Sequence, residues 1–584
     1  MAGTTRNDRS GSGAVLTRRA GVAVLFAIVA FFFLWPVLMQ VLGIFRDAAP
    51  GTKSDWTLKT LIRVYSSKDT YGALKNSLIY AVASTLLATV MALLLALLAT
   101  RTRIRLRWII TPVMVLIFAA PNLFYAVSWS LLADPGAGLI NLGFRAVTGT
   151  KATLFNAYTW TGLVVVQSLK LTGFCYLMLL GPFQNMNRSY EEASMISGAG
   201  RLSTILRITL PSMTPAIFGV LIVGIVFGLG TFDIPQILGA LSGISFLSTE
   251  IFKAINYDVP ADYGRASALS LFVMLALVLM LVAQWIVVKP GRYVTVTGKS
   301  FRQDEWELGR WGAAGTAFVA VFTLVALVLP VVQLVLTSFQ PTIGVWKMTM
   351  ANFTAVLNDR QTAGAFRLTA MLAFAGGAVA MLLAALIGHV GRNSSKSMER
   401  FLDTATLVPI VMPGVALAVA LLWSYISVPG LRQLYGTVWL ALIGLVVSVM
   451  PIASRAVRGA LAQIGRDLEE AAAISGATPL RILRDIILRL MSRSLVAGWI
   501  VTAVMIAGTL DVPLMLLAST TPTVSIQVFT ALQAGAPTQA AALLVLLLIA
   551  IVVLGALYAV ARGVHGAARA RAAARVSAPL PAHA

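Results

Sequence analysis

Long apolar runs alternate along the chain with short polar connections, and the runs are of similar length. Twelve of them carry almost no charge: 20–44, 77–100, 109–133, 159–181, 211–241, 266–288, 311–338, 367–388, 403–427, 437–454, 494–518 and 540–561. About twenty apolar residues wound as a helix cross the hydrocarbon layer of a bilayer. Only helices and closed barrels satisfy backbone hydrogen bonds there. The pattern therefore predicts an all-α polytopic membrane protein of about 12 spans.

Composition agrees. The 584 residues are 58% hydrophobic and 11% charged, against roughly 25% charged in soluble domains. The net charge of +23 could suggest a nucleic-acid partner, but its placement argues for membrane lipid instead. Basic clusters lie in 1–19, in "RTRIRLR" (101–107), and in 289–310, 389–400, 455–493 and 562–575. All fall on one side if the N-terminus is cytoplasmic, which is the positive-inside pattern. The expected location is a cell inner or plasma membrane, multi-pass, with both termini cytoplasmic. The apolar run 20–44 is too long for a signal h-region and reads as an uncleaved first span. A single cysteine, Cys175, allows neither a disulfide framework nor a cysteine metal site.

The chain repeats itself. "WTLKTLIRVYSSKDTYGAL" (56–74) resembles "MTMANFTAVLNDRQTAGAF" (348–366), and Pro121 and Pro413 keep the same offset of 292. "EEASMISGAG" (191–200) then matches "EEAAAISGAT" (469–478) at offset 278, as Asp233 matches Asp511 and Pro235 matches Pro513. The change in offset places a first-half excess in the connection 134–158, since loops tolerate insertion. Six spans return the chain to the starting side, so the halves are parallel repeats about an axis along the membrane normal. The expected organisation is a tail (1–19), a first unit (20–288), a linker (289–310), a second unit (311–562) and a tail (563–584).

In each repeated phrase an acidic, alanine-rich segment reads as a short helix. A glycine (Gly198, Gly476) then permits a turn that other residues make at a cost. A second helix follows, ending in the first half at Pro211, where span five begins. Alanine keeps the first helix thin enough to enter a groove, and Glu192, Arg201 and Arg207 give it a polar face. Two copies at matched positions make an accidental alanine-rich loop a poor explanation.

The phrase resembles the EAA motif of permease subunits of binding-protein-dependent ABC importers: EAA, three residues, G, nine residues, I-x-L-P. Glu192-Ala193-Ser194, Gly198 and Ile208-Thr209-Leu210-Pro211 match except at Ser194. Glu470-Ala471-Ala472, Gly476, Ile486 and Leu488 match until Arg489 replaces the proline, which would leave the start of span eleven less defined. The resemblance covers nearly the whole chain as two fused permease units of the type I fold, with EAA loops near 183–210 and 458–490. It implies that Glu192, Ala193, Gly198, Glu470, Ala471 and Gly476 couple to two copies of a separate cytoplasmic ATPase. It also implies that an external or periplasmic substrate-binding protein delivers the solute. No cofactor is implied. "VTGKS" (296–300) lacks the first glycine of a phosphate loop, Tyr293 standing there. With no catalytic or metal-binding constellation in sight, the chain reads as a transport subunit and not an enzyme.

Ionisable residues inside spans point to function. Asp233 and Asp511 each precede a proline by two, so they either flank the pathway near the external side or cap amides freed at their own helix breaks. Lys170 has no counterpart, since its repeat position is Ser448. It could meet an anionic substrate or pair with Asp233, and the internal pair is preferred. Gln167 shares its helical face. His389 is expected at the cytoplasmic edge in a surface role, and the methionines at lipid- or core-facing positions.

"GTFDIPQILG" (230–239) and "DVPADYGRASALSLFVML" (258–275) resemble iron(III)-type fused permeases, so the expected cargo is ferric iron. Permeases for 2-aminoethylphosphonate, polyamines or thiamine are alternatives of the same class. An ion-coupled secondary transporter is the alternative of another class, although it has no reason to carry paired EAA loops.

Overall fold

The computed structural model describes residues 21–53, 55–287, 306–307 and 309–576. The tail 1–19, most of the linker and residues 577–584 lie outside these. The described residues are almost wholly helical, and ten helices are long and apolar enough to cross a membrane. They include Gly21–Gly43, Lys68–Arg101, Trp160–Asn185 and Arg201–Gly230 in the first half. Their counterparts are Trp311–Ser338, Arg360–Arg392, Val438–Leu461 and Leu483–Gly508 in the second. The final helix continues as far as Val576, past the expected end of the last span.

Spans three and nine are not straight. Arg107–Ala119 and Asn122–Leu132 meet at 99°, and Lys396–Ile410 and Gly414–Ile426 meet at 113°. Each break falls at the proline that keeps the repeat, Pro121 or Pro413. Proline cannot donate the ladder bond, and it pushes the preceding residue into extended backbone. Ala120 accordingly has ψ 135°. With these two bent spans the total is twelve.

The sequence places a helix break at each Asp-x-Pro within the runs 211–241 and 494–518, and the helices end at Gly230 and Gly508, before Asp233 and Asp511. In the first half the next residues fold into a separate bent pair, Pro235–Ser242 and Leu247–Asn256, at 87°. Asp511–Leu516 and Val524–Gln533 take the same place in the second half.

The halves exchange arms. Trp35–Gly43 of the first span packs on Gly414–Ile426 of the other half, and Leu329–Ser338 of the seventh packs on Asn122–Leu132. The outer arms of the bent spans are therefore enclosed: Asn122 aside, every residue of Asn122–Leu132 is buried. Tyr125 donates its hydroxyl to Ala326 O at 2.7 Å, and Trp423 Nε1 donates to Ser267 Oγ at 2.8 Å, each bond joining the halves.

The connection 133–159 carries the ten-residue helix Leu139–Thr148, whereas residues 427–437 close the corresponding stretch of the second half. Buried Asn141 pins this longer loop. Its amide donates to Asp134 O and Phe155 O and accepts from Leu154 N and Phe155 N, all within 3.1 Å.

Candidate functional site

Two features stand out: a pair of loops on one face and a cavity between the halves. In the first loop, the helix Ser189–Ile196 ends in a turn at Gly198, whose φ of +87° is strained for any residue with a side chain. The second loop repeats this with Arg466–Ile474 and Gly476 at φ +84°. Even-numbered spans end where these loops begin, so both loops project from the same face.

The helix after each turn then runs without a boundary into its span. Pro211 does not start span five. It lies inside the continuous helix Arg201–Gly230, just after a π turn at Ile205–Thr209. The second half has the same wide turn at Leu483–Ile487 although Arg489 replaces the proline. The turn therefore forms without the proline, and span eleven runs on from its loop as span five does.

Of the glutamates singled out by the motif, Glu470 is exposed and Glu192 half-buried, and Ala193, Ala471, Gly198 and Gly476 are exposed. The glutamate before each is buried and acts as an anchor, a role the sequence did not separate from its neighbour's. Glu191 pairs with Arg101 at 3.1 Å, both nearly inaccessible, and accepts the Thr209 hydroxyl at 2.8 Å. Arg101 also donates to Phe183 O. Glu469 pairs with Arg392 at 3.3 Å and lies 3.5 Å from His389 Nδ1. His389 is thus buried against the second loop, and not the surface residue expected. Both anchors tie a loop to the end of the second helix of its own half. Removing one member of such a pair leaves a buried charge, at a cost of roughly 3–5 kcal/mol.

The cavity, about 500 Å³, is lined by both halves and holds Lys170, Asp233 and Asp511. Its roof is the pair of breaks. Pro121 crosses the end of span eleven so closely that a Cβ on Gly508 would stand 2.5 Å from Pro121 Cβ. At the related crossing, Pro413 faces Gly230 with 3.8 Å available. Below the roof the wall is Leu171, Phe174 and Met178 of span four, Val223 and Phe227 of span five, and Ile452 and Arg455 of span ten.

Lys170 does not pair with Asp233. Its Nζ donates to the carbonyls of Ile117, Phe118 and Ala120 at 2.9, 2.9 and 2.6 Å. These acceptors are left free where the helix of span three stops. A charged donor at a helix C-terminus is also favoured by the helix dipole. Gln167 is likewise occupied, accepting from Tyr80 and donating to Thr231.

The two aspartates behave differently. Asp511 Oδ1 accepts its neighbour's amide, Val512 N–H, at 2.8 Å, which matches the capping reading for that residue. Asp233 is 6% exposed, and its Oδ1 is buried without a hydrogen-bond partner. Asn122, also in the cavity wall, lies beside the Asp233 carboxylate, and Asp233 feels the charge of Asp511. Asn122, Thr231, Thr509 and Arg455 line the cavity without having been singled out. Only the position of Asn122, next to the repeat-keeping Pro121, could have signalled it.

Comparison with known proteins fits this architecture. The chain is 22% identical over 510 residues to a ferric transport system permease protein, FbpB 1, of Haemophilus influenzae, covering 86% of this chain and 78% of that one. It is 23% identical to the ferric transport system permease protein FbpB of Actinobacillus pleuropneumoniae, over 82% and 69%. The trehalose/maltose transport system permease protein MalF of Thermococcus litoralis is 28% identical over 46% of this chain and 91% of its own length. A chain from a bacterial ABC transporter that imports the acidic polysaccharide alginate matches at 19% identity and a TM-score of 0.38, over 50% of this chain and 100% of that one. The family model described as "Binding-protein-dependent transport system inner membrane component" matches twice, at residues 84–289 and 360–566. With one copy in each structural half, the chain belongs to that family of inner-membrane transport components.

Proposed function

We propose that this chain forms the complete transmembrane pathway of an ATP-driven importer whose cargo is ferric iron. The observation that carries the reading is the pair of anchored loops on one face, at matched positions of the two halves, beneath a cavity roofed at the opposite side. Two copies of a cytoplasmic ATPase would dock on the exposed edges Glu192-Ala193 and Glu470-Ala471. With both termini cytoplasmic, the cavity is inward-facing.

When the ATPases close on ATP, the docked helices move together. The Arg101–Glu191 and Arg392–Glu469 pairs carry that motion into spans two and eight. The crossings of Pro121 over Gly508 and Pro413 over Gly230 then separate, and the cavity opens to the external binding protein. Ferric cargo is supported by relatives that match across both halves.

Copurification from the native membrane tests the assignment. The expected result is an ATPase in twofold excess together with an iron-loaded binding protein. Glu192→Lys combined with Glu470→Lys should remove the ATPase while leaving the chain inserted. A double variant that still binds and stimulates its ATPase would overturn the coupling role, and a metal-free binding protein would overturn the cargo.

A further inference from the structure

The charged groups of the cavity are not equally available to a passing solute. An ammonium has three donors, and all three of Lys170 are taken by the carbonyls of the broken span. Nothing is left for an anion. Arg455 also lines the cavity but is exposed, seven residues past Ser448 toward the loop face. That is roughly 10 Å along the helix, which makes it a residue of the mouth.

Asp233 is in the opposite condition, whereas Asp511 keeps one carboxylate oxygen on the Val512 amide. Asp233 Oδ1 is buried and unpartnered at the roof. A buried acceptor left unpaired costs free energy, and Asp233 borders the cavity, where a partner could reach it. The Asp511 carboxylate comes from the other half and lies directly on the backbone of Gly414. A Cβ at that glycine would stand 2.7 Å from Oδ1 and nearer still to Oδ2. In the first half the position equivalent to Gly414 is Asn122, which faces Asp233. Two carboxylates, one from each half, thus face one cavity, and the Lys170 charge acts on Asp233 through space while its three donors are held by the carbonyls.

We infer that Asp233 and Asp511 form a transit seat for a small hard cation, of the ferric class, and that Lys170 is a structural clamp. Hard cations prefer carboxylate and water oxygens. Among the described residues no group of three or more acidic, histidine or cysteine side chains could hold a metal. The two carboxylates therefore make a loose site completed by water, as conduction requires: binding must be strong enough to admit the ion and weak enough to release it. Because each half contributes one ligand, separating the halves dismantles the seat. The inference deepens the proposed importer function and rests on it for the identity of the cargo.

Terbium(III), a redox-inert hard trivalent ion, provides the probe. The full chain, purified in detergent, is titrated with it, and tyrosine- or tryptophan-sensitised luminescence is read. Tyr80 lies close enough for the Asp233 charge to act on it. Wild type is expected to hold one terbium more than Asp233→Asn/Asp511→Asn. Each single substitution is expected to weaken that site at least tenfold, and Asp359→Asn on an exposed turn to leave it unchanged.

A second measurement needs no variant. Gallium(III) should protect Asp233 and Asp511 of the wild-type chain from a hydrophobic carbodiimide, read by peptide mass spectrometry. Unchanged terbium binding in a monodisperse double variant, or no gallium protection, overturns the seat. Radiolabelled iron uptake into vesicles with the ATPase and binding protein separates the two readings. Uptake without an aspartate-dependent terbium site sinks the seat alone, and the site without iron uptake sinks the ferric assignment alone.

Discussion

Pro121 of the first half rests on the bare backbone of Gly508 in the second. The pseudo-equivalent pair, Pro413 and Gly230, has more than an ångström of extra room. The roof of the cavity is therefore tight on one side and slack on the other, although the two crossings occupy matched positions of a repeat. Overpacking a close contact costs typically 1–3 kcal/mol. Gly508→Ala is accordingly expected to lower uptake by tenfold or more and to reduce the thermal midpoint in detergent. Gly230→Ala should stay within twofold of wild type. Equal effects of the two substitutions would show that the asymmetry carries no weight.

Lys170 stitches span four to the break in span three. Lys170→Met strands three carbonyls, a loss on the order of 2–4 kcal/mol. The expected readout is a thermal midpoint several degrees lower. Asp233→Asn, which touches none of those carbonyls, should not reproduce it. A Lys170→Met protein as stable as wild type would refute the clamp.

The loop anchors make a separable prediction. Arg101→Met leaves Glu191 charged and buried, so the first loop should loosen at a cost of roughly 3–5 kcal/mol. Limited proteolysis would then cut near residues 189–204, and ATPase stimulation would fall. Arg101→Met combined with Glu191→Gln should recover part of the loss, because an uncharged pair no longer strands a charge. No recovery in the double variant would show that Arg101 acts other than through Glu191.

Asn141 holds the long connection 133–159 through four backbone bonds. Replacing it with alanine leaves those buried backbone groups unmet, for roughly 2–4 kcal/mol. Since the connection lies on the face opposite the coupling loops, Asn141→Ala should expose 133–159 to added protease while ATPase association is kept. Loss of ATPase binding in this variant would place the connection on the wrong side.

Much of this was legible because a bilayer is an unforgiving solvent. A span must be apolar for about twenty residues whatever it packs against, so the runs appear in the sequence as lengths. The repeated phrases at 191–200 and 469–478 were visible for a related reason: a helix, a positive-φ turn and a second helix are each specified by local chemistry.

Partners were another matter. Lys170 and Asp233 looked like a pair because both are charged and both are intramembrane, yet the lysine found three carbonyls freed by a bend that hydropathy cannot register. Both arms of that bend are apolar, so the run reads as straight. The same blindness hid the division of labour between Glu191 and Glu192. Sequence alone determined what must lie in lipid, that the chain is doubled, and where it turns. Tertiary structure decided which charges are spent on the protein itself and which still face the cavity, because that depends on groups brought together from distant spans, and no local pattern records it.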